Sequence, residues 1–385
     1  MHASPSGLSL SFTANALQLR FAVGGHCEFP ALWLADNDPR HRDAHSGQRL
    51  TDVADLPLVP QIREVRLEAG QVIVSWRDSL PDSRFDVAWL AGEAQRPAAP
   101  VARPVTPWPD GAGRDARRDC AWLSLQELAA QGAGGGAGAR VADWFRRLGS
   151  EGLAFVEGVP SLPGAILDAA AAIGLVQQTN YGTLFDVRSI PRAENLAYTD
   201  LGLGLHTDNP YRDPVPGFQV LHCLVAAADG GDSLFADGFA IAAALRAADR
   251  EAFELLAATP VEFAYRSRDA ALQAAQPLIR LDDRGECIAV HYNNRSIAPL
   301  PVSSPGLAPF YAAYRQFALL LREPRFQMTA RLAPGELVVF DNWRILHART
   351  SFHAARHLQG CYLTRDSVFS RSALLRDAMP GDRAR

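Results

Sequence analysis

Leu203-Gly204-Leu205-His206-Thr207-Asp208-Asn209-Pro210-Tyr211 and, far downstream, Asp341-Asn342-Trp343-Arg344-Ile345-Leu346-His347 are the stretches on which the reading of this chain turns. Two histidines and one carboxylate form the donor set that holds non-haem Fe(II) on one face and leaves the other face open. Alternate side chains of a β-strand point to the same side, so His206 and Asp208 can reach one metal from a strand or a strand end. His347 must arrive from elsewhere in the fold. A bare His-x-Asp pair is common by chance, and alone it reads as unrelated polar residues. Three features reverse that reading. His206 closes an apolar, glycine-containing strand just before a proline turn. His347 ends the strand-plus-turn at 338–343, so it too is expected at a sheet rim. Arg356 follows a strand length further on, beside residues 358–362.

The composition narrows the function classes. A chain of 385 residues that is 48% hydrophobic has length for one large or two medium domains. A net charge of −4 gives no sign of a nucleic-acid or anionic-membrane partner. All 38 basic residues are arginine, which removes Schiff-base chemistry and a phosphate-loop lysine. The glycine run at 132–138 is therefore read as flexible sequence. Five scattered cysteines without a Cys-x-x-Cys pair suit a reducing compartment. With no signal pattern and no 18-residue apolar run, a cytoplasmic protein is expected.

Along the chain, residues 17–23 and 64–76 alternate as strands, the latter with a glycine turn, and predict a small N-terminal β-domain over 1–95. A Pro-, Ala-, Arg- and Gly-rich stretch over 96–120 is expected to be a linker. Beyond it, 121–385 predicts a catalytic domain. Ser124 and Glu127 have capping-box spacing, and helices are expected at 141–149, 164–173, 239–246, 250–258 and 307–322. Strands are expected at 152–156, 217–224, 233–235, 261–265, 288–292, 336–340 and 359–363. Many strands interrupted by helices predict a mainly β fold, a double-sheet jelly roll with helical insertions.

The blocks HTDNPYRDPVPGFQVLHC, GGDSLFADGF, HYNNRS and DNWRILHARTSF…RHLQGCY resemble the γ-butyrobetaine dioxygenase branch of the taurine-dioxygenase-like Fe(II)/2-oxoglutarate oxygenases. The likeness runs from about residue 150 to the end, and the first 90 residues resemble that branch's N-terminal β-domain. The resemblance implies a double-stranded β-helix with His206, Asp208 and His347 as iron ligands and 2-oxoglutarate and O2 as co-substrates. It implies that Arg356, with Ser233 and Leu221, binds 2-oxoglutarate. A guanidinium suits that role because it stays charged and pairs bidentately with a carboxylate. Arg356 lies nine residues after His347, a short spacing for the branch, and Arg349 stands as the alternative.

Further implications concern the substrate. Tyr181, Phe185, Tyr198 and Tyr362 fall on positions that cage a trimethylammonium group in relatives, and aromatic faces attract such a cation. Asn195, Tyr211, Asn293 and Asn294 match or adjoin residues holding the substrate's anionic end. Arg295, where animal enzymes carry a small neutral residue, resembles the bacterial 2-(trimethylamino)ethylphosphonate dioxygenases and suits a doubly charged head group. The expected activity is hydroxylation of a small trimethylammonium substrate, with the phosphonate ahead of γ-butyrobetaine. A non-catalytic betaine-binding protein is the rival from another class, and a metal-dependent hydrolase a third reading. Relatives hold a zinc near a Trp-Leu-Arg-Asp-Asn block. Here Asp38, Arg40 and Asp43 replace its cysteines and the later histidine position falls near Pro81, so no structural zinc is expected. The partner expected beyond the small molecule is a second copy of the chain, as a homodimer.

Overall fold

Phe218–Val225 and Leu337–Asp341 are apolar almost throughout rather than alternating, and the structure buries both faces of each. The computed structural model describes residues 8–21, 25–97, 103–109, 114–130, 136–188, 200–303, 306–353 and 355–377. The chain divides into two compact units, Met1–Ala102 and Arg103–Arg385.

The smaller unit contains two three-stranded antiparallel sheets, Ser9–Phe12, Ala16–Phe21 and Gly25–Pro30, then Ile62–Glu68, Gln71–Trp76 and Ser83–Asp86. Leu17, Leu34, Ile62, Trp76 and Phe85 share one core. At the positions where thiolates would sit in zinc-binding relatives, buried Asp38 accepts two bonds from the Arg40 guanidinium, at 3.0 and 2.5 Å. Arg40 also donates to the Pro81 carbonyl at 2.9 Å. An ion pair thus ties this loop together.

The expected linker is placed differently. Residues 103–109 and 114–120 belong to the larger unit, because Trp108 is buried and its backbone N–H donates to Asp237 at 2.9 Å. A composition of Pro and Arg concealed one anchoring tryptophan.

In the larger unit we number the eight strands that enclose the site. They are β1 Phe185–Arg188, β2 Leu203–His206, β3 Phe218–Val225, β4 Ser233–Asp237, β5 Gln327–Ala330, β6 Leu337–Asp341, β7 Ile345–Arg349 and β8 His357–Leu363. One sheet runs β1-β8-β3-β6 and the other β2-β7-β4-β5, a jelly-roll order. Leu153–Glu157 and Ala121–Ser124 extend the first sheet beyond β6, and Arg114–Asp115 extends the second beyond β5.

Alternation sorts the side chains into three layers. Leu221, Phe235, Val338, Phe340, Ile345 and Leu358 meet between the sheets. Phe218, Val220, Leu337, Val339 and Leu363 face outward under helices Gly136–Glu151 and Ile166–Ile173. Residues 238–326, inserted between β4 and β5, build the third layer. Its helices Gly238–Ala248, Arg250–Ala258 and Leu307–Leu320 pack Phe239, Ile241, Phe253 and Phe317 with Ala236 and Leu346 of the second sheet. The capping box of Ser124 and Glu127 forms as its spacing predicts.

A fully buried ion pair locks β4 to the turn before β7. Arg344 donates to Asp237 through Nε at 2.9 Å and Nη2 at 2.8 Å, and to the Ser150 and Thr106 carbonyls. Asp237 also accepts from the Phe239 N–H, capping the first inserted helix.

Candidate active site

His206 ends β2 and stands opposite His347 of β7 in strand register, with ring centroids 4.2 Å apart. His347 therefore sits inside a strand of its own rather than at the end of the preceding turn. The reversal at Asn342 and Trp343 is tight enough for a new strand to begin at Ile345. Asp208 lies two residues beyond β2, where Asn342 clamps its backbone. The Asn342 side chain accepts from the Asp208 N–H at 2.7 Å and donates to the Asp208 carbonyl at 3.0 Å.

The three side chains converge on one point. Asp208 Oδ1 lies 3.3 Å from His206 Nε2 and 3.9 Å from His347 Nε2. Among the described residues this is the group of metal-ligating side chains close enough to share an ion. Nδ1 of His206 lies 2.9 Å from the Gly204 carbonyl, which can only accept. The proton must sit on Nδ1, so Nε2 presents its lone pair. Burial would raise the Asp208 carboxyl, but the two histidines and the Tyr362 hydroxyl hold it below the usual carboxylate range. Burial, reinforced by His206, pushes His347 down to about 3. A carboxylate oxygen converging with two imidazole nitrogens fits a divalent cation.

Beside this set is a cavity of about 430 Å³ between the two sheets. On one side it is lined by Leu221, Ser233, Arg349 and Arg356. Arg356 is buried, and its Nε donates to the Gly231 carbonyl at 3.1 Å while Nη1 has no hydrogen-bond partner. Burial, and secondarily Arg349, lowers its pKa to about 10. A buried, charged, unpartnered donor is costly unless an anion meets it. Gly231 makes that approach possible, since a Cβ there would lie 2.8 Å from Arg356 Cδ.

Much of the remaining lining is aromatic. Tyr181 and Phe185 have centroids 6.4 Å apart, Phe185 and Tyr362 5.2 Å. The Phe185 ring crosses Gly360, where a Cβ would come within 2.5 Å of it. Tyr211 and Tyr265 stack at 5.2 Å, and Tyr265 meets Tyr181 edge-on at 5.9 Å. Tyr198 and Asn195 lie outside the described residues. Asn293 lines the cavity with its amide donating to the Thr207 carbonyl, whereas Asn294 is exposed and off the cavity wall. Arg295 reaches the cavity from its rim, and burial by the surrounding protein lowers its pKa although the open cavity leaves it accessible.

Tyr265 and Arg266 are among the lining residues that were not foreseen. They come from the inserted hairpin Pro260–Arg266 and Ala271–Pro277, which Ala264 N–H ties to the Ser296 carbonyl at 2.8 Å. The alternation of residues 261–265 marks a strand but not its destination.

Fold and site together define a 2-oxoglutarate-dependent non-haem iron dioxygenase. Residues 130–362 match the family described as taurine catabolism dioxygenase TauD, TfdA family. The chain is 38% identical to a γ-butyrobetaine dioxygenase of Pseudomonas sp. (strain AK-1), covering 97% of this chain and 96% of that protein. It is 30% identical to the Homo sapiens γ-butyrobetaine dioxygenase over 94% of this chain and 95% of that one. It is 26% identical to a trimethyllysine dioxygenase of Meyerozyma guilliermondii over 95% and 94%. The protein belongs to the TauD/TfdA family, in its γ-butyrobetaine dioxygenase-like branch. Among the described residues no helix is long and apolar enough to cross a membrane.

Proposed function

We propose that this enzyme hydroxylates a methylene of a small trimethylammonium compound whose other end is a dianion, 2-(trimethylamino)ethylphosphonate being the best-fitting case. In this reading His206, Asp208 and His347 hold Fe(II), and Arg356 with Ser233 and Leu221 hold 2-oxoglutarate. The metal and the 2-oxo acid, when bound, supply the O2 activation and oxidative decarboxylation that power hydroxylation. The protein's own work is positioning. Tyr181, Phe185 and Tyr362 offer ring faces to the trimethylammonium group, each contact contributing about 0.5–2 kcal/mol. Bulk methyls gain further from desolvation against the rings.

The observation that carries the head-group assignment is the charge of the lining, four arginines against one carboxylate. In this reading Arg356 faces 2-oxoglutarate; beside burial it is opposed by Arg349 and only partly offset by Asp232, while Arg349 is opposed by Arg295 and partly offset by Asp200. Arg266 and Arg295 line the same cavity, Arg295 near enough to act on Asp208, His347 and Arg349, and a dianion satisfies two guanidiniums better than a single carboxylate does. Hydroxylation of γ-butyrobetaine is the second reading, favoured by the Pseudomonas relative's 38% identity.

The test is a side-by-side assay of 2-(trimethylamino)ethylphosphonate, γ-butyrobetaine and trimethyllysine, following succinate. Preference for the phosphonate, with Arg295→Ala weakening that substrate selectively, supports the assignment. Equal loss for all three defeats the head-group argument, and absence of turnover with every quaternary ammonium compound defeats the substrate class.

A further inference from the structure

The cavity's aromatic wall and the metal-facing carboxylate are joined by one unbroken line of hydrogen bonds. Tyr362 Oη lies 2.7 Å from Asp208 Oδ2, and Asn209 Nδ2 lies 3.1 Å from Tyr362 Oη. Tyr211 Oη lies 2.5 Å from Asn209 Oδ1 and 3.1 Å from Tyr181 Oη.

Proton counting fixes its direction. An ionised carboxylate can only accept, so Tyr362 gives its single proton to Asp208. Tyr362 must then accept from Asn209, which turns the amide nitrogen toward Tyr362 and Oδ1 toward Tyr211. An amide flipped the other way would set two acceptors face to face. Tyr211 uses its proton on Asn209, so Tyr181 donates to Tyr211. The whole line runs one way, ending on Oδ2. The backbone supports this placement, for Asn209 is buried and has φ of 54°, a left-handed conformation that Asn tolerates better than most residues.

Oδ2 is the oxygen turned away from the histidines, while Oδ1 is the one within 3.3 and 3.9 Å of them. We infer that Tyr362 and Asn209 are positioning residues for the metal ligand: the Tyr362 hydroxyl, aimed by Asn209, occupies Oδ2 so that Asp208 offers the metal one oxygen alone. Two histidines and a single carboxylate oxygen leave room for a chelating 2-oxo acid and O2. A carboxylate free to swing in with both oxygens competes for the position the 2-oxo acid needs. Tyr362 therefore acts with its hydroxyl on the metal side and with its ring on the substrate side, and removing the hydroxyl alone separates the two. Outer partners of metal ligands commonly change affinity by about 10–100-fold when removed.

The inference rests on the assignment of His206, Asp208 and His347 as metal ligands. Its test is calorimetric titration of the full-length protein, first with Co(II) alone and then with 2-oxoglutarate into the Co(II)-loaded form. The expected result for Tyr362→Phe is a loss of 2-oxoglutarate affinity in the Co(II)-loaded form, with a smaller change in Co(II) binding. The visible charge-transfer absorption of the anaerobic Fe(II)·2-oxoglutarate complex should shift as well. Asn209→Gly, which keeps the left-handed turn unstrained, should shift both in the same direction by less, and Tyr211→Phe by less again. Wild-type affinities for both ligands in Tyr362→Phe, with only its melting temperature lowered, overturn the inference. If that variant does not fold, Asn209→Gly decides by the same two titrations. Failure of the wild-type chain to bind Co(II) overturns the ligand assignment itself, and the inference with it.

Discussion

Replacing Arg356 tests how the protein holds its co-substrate. The guanidinium is buried, its Nε is engaged by the Gly231 carbonyl, and Nη1 has no partner. It is set to meet a carboxylate with two donors. Hydrogen bonds to charged groups are worth about 1.5–3 kcal/mol each. Removing two costs about 3–6 kcal/mol, or roughly 10²–10⁴ in affinity. Arg356→Gln should therefore weaken 2-oxoglutarate binding to the Co(II)-loaded protein by at least about 100-fold. Arg356→Lys keeps the charge but loses the planar fork, so about one such bond is lost and the decrease is roughly 10–100-fold. Calorimetric titration measures both variants directly, and Co(II) affinity should stay near wild type because Arg356 is not in the converging donor set. Binding within threefold of wild type in Arg356→Gln, or a larger loss in Arg349→Gln, would move the anchor to Arg349 and refute the reasoning.

Gly231→Ala should produce a milder form of the same defect. Its φ of 72° and the 2.8 Å approach to Arg356 Cδ force a shift, so 2-oxoglutarate affinity falls while metal affinity holds, read by the same titration. Asp237→Ala strands the buried Arg344 charge and should cost about 3–5 kcal/mol in chemical denaturation. The double variant Asp237→Leu/Arg344→Met should recover much of that loss, and simple additivity of the single losses would count against the pair. Tyr181→Leu and Phe185→Leu should raise KM for a trimethylammonium substrate by roughly 2–30-fold, from about 0.5–2 kcal/mol per ring. A neutral tert-butyl analogue should lose less, and equal losses would show that the rings act by packing alone.

The sequence announces those features whose signal is local. Helix Arg250–Ala258 falls where the pattern predicts, and strands Phe218–Val225 and Leu337–Asp341 lie within a residue of expectation, because each carries its own apolar run and boundary residues. His206, Asp208 and His347 were legible as a donor set before any geometry was known. What stayed hidden depends on pairing across long separations. The position of His347 within β7 follows from its register with Phe235 and His206. Arg114–Asp115 joins the second sheet through parallel pairing with β5, which nothing in a Pro- and Arg-rich segment foretells. Tyr265 and Arg266 reach the cavity because their hairpin is bonded to the chain at Ser296, a partner no periodicity identifies. Asn294 shares its block with lining residues on either side, yet only the local turn decides that it points away.

The division of labour across the cavity carries an evolutionary consequence. The residues proposed to hold the metal and 2-oxoglutarate come from the eight strands and the loops directly attached to them. Tyr265, Arg266, Asn293 and Arg295 all come from the single insertion at 238–326. Phe253, Phe263, Phe310 and Phe317 of that insertion share one hydrophobic core with Ala236 and Leu346 of the second sheet. A lineage can therefore rewrite this part of the cavity by altering one contiguous stretch, provided that Tyr292 and Asn293 keep their hydrogen bonds to Thr207, between His206 and Asp208. Grafting this stretch between relatives is the corresponding engineering route, and its two seams fall at the ends of β4 and β5.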